Sequence, residues 1–326
     1  MSNIPHIEQL LRLLKDSDGY ISGETIARQL KVSRAAVWKQ IAKLRKDGFA
    51  IDALPRIGYR LLRRPDKLIP VEIKDGLNTT FIGQEIFYYP KTESTNLIAK
   101  KTVMDGAEEG TVIIAEEQSM GRGRLDRKWL SPAGKNILLS IIFRPKIQHA
   151  KVFYLTMLTS LAIVKAIKKS IALDALIKWP NDIYIGNKKT GGLLTEFNAD
   201  QDRVSYVIVG IGLNVNFDPF IYNEIRDNAT SLSIELGKKI SRIKLLRSIL
   251  EEIEIHYNAF NKNKSPEIHK QWLRYSLILG KPVKIISFNS VCEGIAESID
   301  DDGCLILRYG KNKKKKILSG DVSLRF

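Results

Sequence analysis

Between Gly121 and Trp129 the chain reads Gly-Arg-Gly-Arg-Leu-Asp-Arg-Lys-Trp, four cations in nine residues. Glycine tolerates backbone angles closed to other residues, so this segment makes a poor strand and a worse helix. Its backbone N–H groups can turn inward together, and its guanidinium groups can clamp phosphate in bidentate fashion. A loop that closes over a phosphorylated or adenylated ligand needs both. A solvated basic turn or a nucleic-acid patch would have the same composition.

Lys178-Trp179-Pro180-Asn181-Asp182 is a second concentrated segment. A lysine at a strand end, a proline that stops the strand, then an amide and a carboxylate set four functional groups within five residues. The ammonium can neutralise a carboxylate and an α-phosphate while one attacks the other, and Asn181 and Asp182 can bind Mg²⁺ or ribose. A strand-to-turn junction capped by Asn and Asp reads the same way. Glu93-Ser94-Thr95-Asn96 opens a helix with clustered hydroxyl and amide groups, which is also the composition of a helix cap.

These segments need a scaffold. A chain of 326 residues suggests two or three domains. No apolar run approaches the ~20 residues of a membrane span, and the opening Met-Ser-Asn-Ile-Pro-His lacks a secretory layout. Cys292 and Cys304 have no second pair with which to make a metal site and read as thiols of a cytoplasmic protein. The net charge of +16 favours a polyanionic partner. Residues 1–65 carry 13 Lys/Arg against 6 Asp/Glu, so the excess is concentrated at the start. Lysines 311 and 313–316 read as a solvated hairpin tip.

Helical spacing in residues 7–18, a helix capped by Ser22, and a third capped by Ser33 and stopped at Gly48 predict a helix-turn-helix. Period-two segments around Pro55–Gly58 add a wing. The third helix would present Arg34, Ala35, Trp38, Lys39 and Lys43 to a major groove, with Arg56 at the wing tip. Trp38 could instead pack on the first helix, and the module could serve dimerisation or RNA binding. The polar break Arg63-Arg64-Pro65-Asp66 predicts domains at 1–65, 66–275 and 276–326. Mixed helices and strands in the middle predict a mixed α/β sheet, and the short strands after Gly280 a small β-barrel.

Taken in order, Ser94-Thr95-Asn96, Glu117-Gln118, the Gly-Arg loop with Trp129, Lys178–Asp182, Lys189-Thr190-Gly191 and Gly210–Asn216 resemble the biotin–protein ligase family. The third N-terminal helix resembles that of its bifunctional ligase–repressor members. The resemblance covers nearly the whole chain. It implies a class II synthetase-like catalytic domain, a winged helix-turn-helix and a C-terminal Src-homology-3-like barrel. It further implies ATP-dependent formation of biotinyl-5'-AMP, with Mg²⁺ arriving on ATP. Biotin then passes to a lysine of a biotin carboxyl carrier protein. Operator DNA and an adenylate-bound homodimer are the implied repressor partners, with no membrane involved.

By the same resemblance, Ser94, Thr95, Asn96 and Gln118 hold biotin together with Arg122, Gly123, Arg124 and Lys178. Arg122, Arg124, Trp129, Asn181 and Asn214 approach the nucleotide. Lys178 bridges biotin's carboxyl and the α-phosphate, and Asp182 steers the incoming lysine; these two and the loop arginines form the catalytic set. Two departures stand out. Asp126 replaces a glycine common in the family, which makes the loop stiffer and less cationic. Residues 217–232 contain no tryptophan, leaving Trp129 or Phe220 to meet adenine. A non-catalytic metabolite-sensing regulator and a lipoate–protein ligase are the competing readings.

Overall fold

The structure is a computed structural model that describes residues 4–324 apart from 201, 202, 288, 289, 312 and 319. The opening Met1-Ser2-Asn3, the Phe288-Asn289 turn and the strand end at Ser319 lie outside those residues. The chain divides into two compact units, Met1–Gly76 and Leu77–Phe326.

In the first unit, helices α1 (Ile4–Asp16), α2 (Gly23–Leu30) and α3 (Arg34–Asp47) enclose a core of Leu10, Leu11, Ile26, Val37, Ile41 and Leu44. Ser22 Oγ accepts the Thr25 N–H at 3.0 Å and Ser33 Oγ that of Ala36 at 3.2 Å, satisfying backbone donors the helix starts leave open. Gly48 ends α3 at φ +105°. Strands β1 (Ala50–Leu54) and β2 (Gly58–Arg63) form the wing, and Tyr59 also pairs with Ile21. A Cβ on Gly58 would sit 2.1 Å from the Ile21 carbonyl oxygen, so only glycine allows that pairing. On α3, Arg34, Ala35, Trp38, Lys39 and Lys43 are exposed, as is Arg56 at the wing turn. Trp38 is 62% exposed and does not pack on α1.

The unit extends past the polar break at Pro65. A short helix, α4 (Pro70–Lys74), follows the wing, and Arg64 grips Glu72 at 2.9 and 2.5 Å and Asp75 at 2.9 Å. Lys15 of α1 reaches Asp75 at 2.7 Å. These ion pairs tie the segment after Pro65 to the end of the wing and to α1.

The second unit is built on a mixed sheet of seven strands. They are β3 (Ile86–Tyr89), β4 (Val112–Ala115), β5 (Ile137–Phe143), β6 (Leu176–Lys178), β7 (Asp182–Ile185), β8 (Lys188–Asp200) and β9 (Arg203–Leu213). Their order is β3-β4-β5-β9-β8-β7-β6; β3 and β4 are parallel and the other pairs antiparallel. Helix α5 (Thr95–Met104) covers part of one face through Ala99 and Val103, packed on Ile113, Ile142, Tyr206 and Ile208.

The opposite face carries α6 (Phe153–Ile171), α8 (Arg242–Asn261) and α9 (Ser265–Arg274), with a short α7 (Leu232–Leu236) just before α8. Tyr257 of α8 meets Phe143 of β5 there at 4.9 Å between ring centroids. By length and composition α6 could cross a membrane, contrary to the sequence expectation. Burial of 78% of its most apolar stretch accounts for that apolarity as core packing.

Glu254 of α8 anchors the start of this unit. Its carboxylate accepts the N–H groups of Thr80, Phe81 and Ile82 and the Thr80 hydroxyl. Burial alone would push the carboxyl up, but the bonds from Phe81, Thr80 and Ile82 hold it below its ordinary 4.5. A depressed folded-state pKa contributes stability that is present above the unfolded value and lost as pH falls through the folded one. Glu254→Gln should therefore cost about 2–3 kcal/mol at pH 7 and progressively less below pH 4.5. Urea unfolding at the two pH values measures the difference.

After α9 the chain passes β6, where Ile177 N–H donates to Tyr275 O and Leu277 N–H to Ile177 O. It then forms β10 (Pro282–Ser287), β11 (Ser290–Ile299), β12 (Leu305–Tyr309), β13 (Lys313–Ile317) and β14 (Asp321–Leu324), an antiparallel sheet ordered β13-β12-β11-β10-β14. This sheet docks on the middle of the chain. Trp179 Nε1 donates to Gly303 O at 2.9 Å, and a Cβ on Gly303 would lie 1.8 Å from the Phe153 ring.

Candidate active site

On the α5 face of the large sheet a cavity of about 220 Å³ opens beside the helix. Ser94, Thr95, Asn96 and Gln118 line it, as do Arg122, Gly123, Arg124 and Trp129. Asn181, Asp182 and Asn214 complete the sequence-predicted residues found in its wall. Lys178 is not among them, and Lys189 is.

The helix start explains the neutral polar part. Ser94 is the buried N-cap of α5, and its hydroxyl makes no capping bond. Thr95 donates to Gln118 Oε1 through its N–H at 2.7 Å and its hydroxyl at 3.1 Å. That fixes the Gln118 carbonyl toward the helix. Asn96 Nδ2 donates to Glu196 Oε2 at 2.6 Å, and Ser140 Oγ lies 2.6 Å from Asn96 Oδ1. A Cβ on Gly210 would stand 2.3 Å from that same Oδ1, so glycine is required for Asn96 to fit. Ser140 and Glu196 were not expected from sequence, since both sit inside ordinary apolar strand text.

The basic loop is folded as a narrow bridged turn. Trp129 N–H donates to Gly121 O at 2.8 Å and Gly123 N–H to Arg127 O at 2.7 Å, with Leu125 left-handed at φ +56° between them. Arg124 Nη1 donates to Asn181 Oδ1 at 3.3 Å, and Asn181 Nδ2 donates to Leu193 O at 2.6 Å. The Trp129 ring lies where a Gly212 side chain would begin, 2.5 Å from its ideal Cβ, and its Nε1 is buried without a hydrogen-bond partner. Phe220, the other aromatic considered for adenine, is 56% exposed and has Lys188 Nζ 5.3 Å over its ring. The Asp126 side chain lies outside the described residues.

The two lysines near Asp182 are placed differently. Lys178 pairs with Asp182 across β6 and β7, so it lies on the same face, but β6 is the edge strand. Its ammonium turns to the Tyr184 hydroxyl at 3.2 Å and sits 5.0 Å over that ring. Lys189 reaches the cavity because of a bulge. Ile183 pairs with Gly191 and Tyr184 with Lys189, so Thr190 is extra and the phase of β8 reverses there. Lys189 thereby joins the face of Asp182, and its Nζ stands 2.6 Å from Asp182 Oδ1 and 5.7 Å over Trp129.

Asn214 is held by structure. Its N–H donates to Thr190 O at 2.7 Å and its Nδ2 to Thr230 O at 3.1 Å. One register step beyond the Ile137–Leu213 pair, Asn136 is fully buried with neither amide atom hydrogen-bonded. A buried orphaned amide is costly, which marks Asn136 as a polar group awaiting a partner that sequence reading missed. Among the described residues no group of three or more His, Cys, Asp or Glu could hold a metal ion. Asp182, the one carboxylate in the cavity wall among the described residues, is paired with Lys189.

The biotin/lipoate A/B protein ligase family matches residues 88–214, an HTH domain 6–60, and the biotin protein ligase C-terminal domain 278–325. A bifunctional ligase/repressor BirA of Bacillus subtilis is 41% identical, over 94% of each chain. That of Escherichia coli is 28% identical over 97% of this chain and 96% of its own. A solved biotin protein ligase from Aquifex aeolicus, in complex with biotin and ATP, superposes with a TM-score of 0.65 at 30% identity. It covers 74% of this chain and 99% of its own. With helix-turn-helix, ligase sheet and C-terminal β domain all present in order, the chain belongs to the bifunctional ligase/repressor BirA family of biotin protein ligases.

Proposed function

We propose that the chain joins biotin to ATP, releasing pyrophosphate and forming biotinyl-5'-AMP. It then transfers biotin to a lysine of a biotin carboxyl carrier protein, and its winged helix represses biotin genes by binding operator DNA. One cavity carries the argument, because it combines a neutral set able to hydrogen-bond a cyclic urea with a cationic set and an indole. In the first step a biotin carboxylate oxygen bonds to the α-phosphorus and the bond to pyrophosphate breaks. The carboxylate is already ionised at neutral pH, so charge neutralisation and alignment matter more than a base. Lys189 takes the role first given to Lys178, with Arg122 and Arg124 beside it. Mg²⁺ would travel on the triphosphate rather than on protein ligands.

In the second step a neutral lysine amine attacks the carbonyl carbon, AMP leaves, and the amine gives up a proton. Asp182 is the carboxylate nearest Lys189 and orients it. Trp129 packs along the adenylate. Two copies would pair so that two recognition helices meet paired half-sites, and the protein would work in the cytoplasm.

Biotin-dependent exchange of pyrophosphate into ATP tests the reaction and the substrate together. Exchange is expected with biotin and not with lipoate. The reverse preference would make the chain a lipoate ligase, and no exchange with either would leave a metabolite-sensing regulator.

A further inference from the structure

We infer that Glu196 is a positioning residue that sets the hydrogen-bond polarity of the biotin pocket through Asn96 and Ser140. The inference rests on the cavity binding a ligand with ring N–H groups, as proposed above.

A hydroxyl owns one proton. The Thr95 hydroxyl gives its proton to Gln118 Oε1 at 3.1 Å. Ser140 Oγ then has two acceptors within reach, Asn96 Oδ1 at 2.6 Å and Thr95 Oγ1 at 2.8 Å, and can serve one fully. Which one it serves decides what Thr95 offers the cavity. If Ser140 bonds Asn96, the Thr95 oxygen keeps its lone pairs for a ligand N–H. If Ser140 bonds Thr95, one of those lone pairs is consumed.

Asn96 makes that choice, and Glu196 makes it for Asn96. An amide can present either its oxygen or its NH₂ to Ser140. The Glu196 carboxylate is acceptor-only, so it demands the NH₂, which it binds at 2.6 Å while Leu194 O accepts the second proton at 3.3 Å. Asn96 Oδ1 is left facing Ser140. Lys100 holds the other carboxylate oxygen of Glu196 at 2.5 Å. Ser140 and Asn96 are buried, so water does not blur the assignment.

Glu196→Gln tests this because it keeps the shape and changes the polarity. Lys100 would claim the oxygen of the introduced amide, turning its NH₂ toward Asn96, which regains the shorter bond by flipping and gives up the longer one to Leu194 O. Ser140 would then receive a proton from Asn96 and pass its own to Thr95. Biotin-dependent exchange should show a KM for biotin raised roughly tenfold with kcat and the KM for ATP little changed, the loss of about one hydrogen bond. The double variant Lys100→Ala/Glu196→Gln frees the introduced amide to turn its oxygen toward Asn96 Nδ2, which leaves Asn96 Oδ1 facing Ser140 as in the parent. Its KM should return to within about twofold of the parent.

A raised KM in the double variant equal to that of Glu196→Gln would overturn the inference, because a packing role gives no rescue by removing Lys100. So would an unchanged KM in Glu196→Gln, or a fall in kcat that accounts for its whole effect. Thermal unfolding of each variant accompanies the kinetics; should Glu196→Gln fail to fold, the double variant alone decides by its KM. Absence of exchange with biotin in the parent chain would instead refute the proposed substrate.

Discussion

Lys189→Ala is expected to lower biotin-dependent pyrophosphate exchange about a thousandfold, while Lys178→Ala changes it severalfold at most. The difference follows from strand geometry. Both lysines lie on the cavity face, but Lys178 belongs to the edge strand and is spent on Tyr184, whereas the bulge at Thr190 brings Lys189 to Asp182 and into the cavity wall. A cation preorganised where negative charge meets negative charge is worth roughly 10²–10³ in rate when removed. The loss should fall on kcat rather than on the KM for biotin, since the ureido contacts are made elsewhere. Equal losses in the two variants, or a larger one in Lys178→Ala, would return the catalytic role to Lys178.

The same bulge shows where sequence reading stops. Lys178-Trp179-Pro180-Asn181-Asp182 announces chemistry by composition, and Asp182 and Asn181 do line the cavity. An unpaired residue in a strand has no signature in Lys188-Lys189-Thr190-Gly191-Gly192, so the phase of β8 was invisible. The caps at Ser22 and Ser33 and the stop at Gly48 were legible because capping is local. Ser140 and Glu196 were not. Each acquires its role from a neighbour about 45 or 100 residues away in sequence, Asn96 in both cases. Helix α9 was missed because Lys262-Asn263-Lys264 reads as loop and Pro266 as a breaker, although proline is well placed in a helix's first turn. The lysine-rich segment was expected to be a hairpin tip leading into a strand at Lys315; the strand β13 begins at Lys313 and pairs with β12 as a solvated edge strand.

Removing two cations from the exposed face of α3, Arg34→Ala with Lys39→Ala, should weaken binding to DNA from the upstream region of biotin genes at least a hundredfold and leave exchange unchanged. The core of the first unit uses Val37, Ile41 and Leu44, so the substitutions touch only the solvent side of the helix. Alanine is also the better helix former at both positions, which protects the fold. The dependence of affinity on salt distinguishes the roles of the two residues. A residue that contacts phosphate alone lowers the salt slope by about one and weakens all sequences alike, whereas one that reads a base edge reduces the preference for the operator over unrelated DNA. Trp38 lies between them, 62% exposed, and an indole that size has no packing reason to face water on a helix with a complete core. Trp38→Ala should therefore cost operator affinity without lowering the unfolding temperature. If both Trp38→Ala and the double variant bound DNA as tightly as the parent, the first unit would have to serve something other than repression.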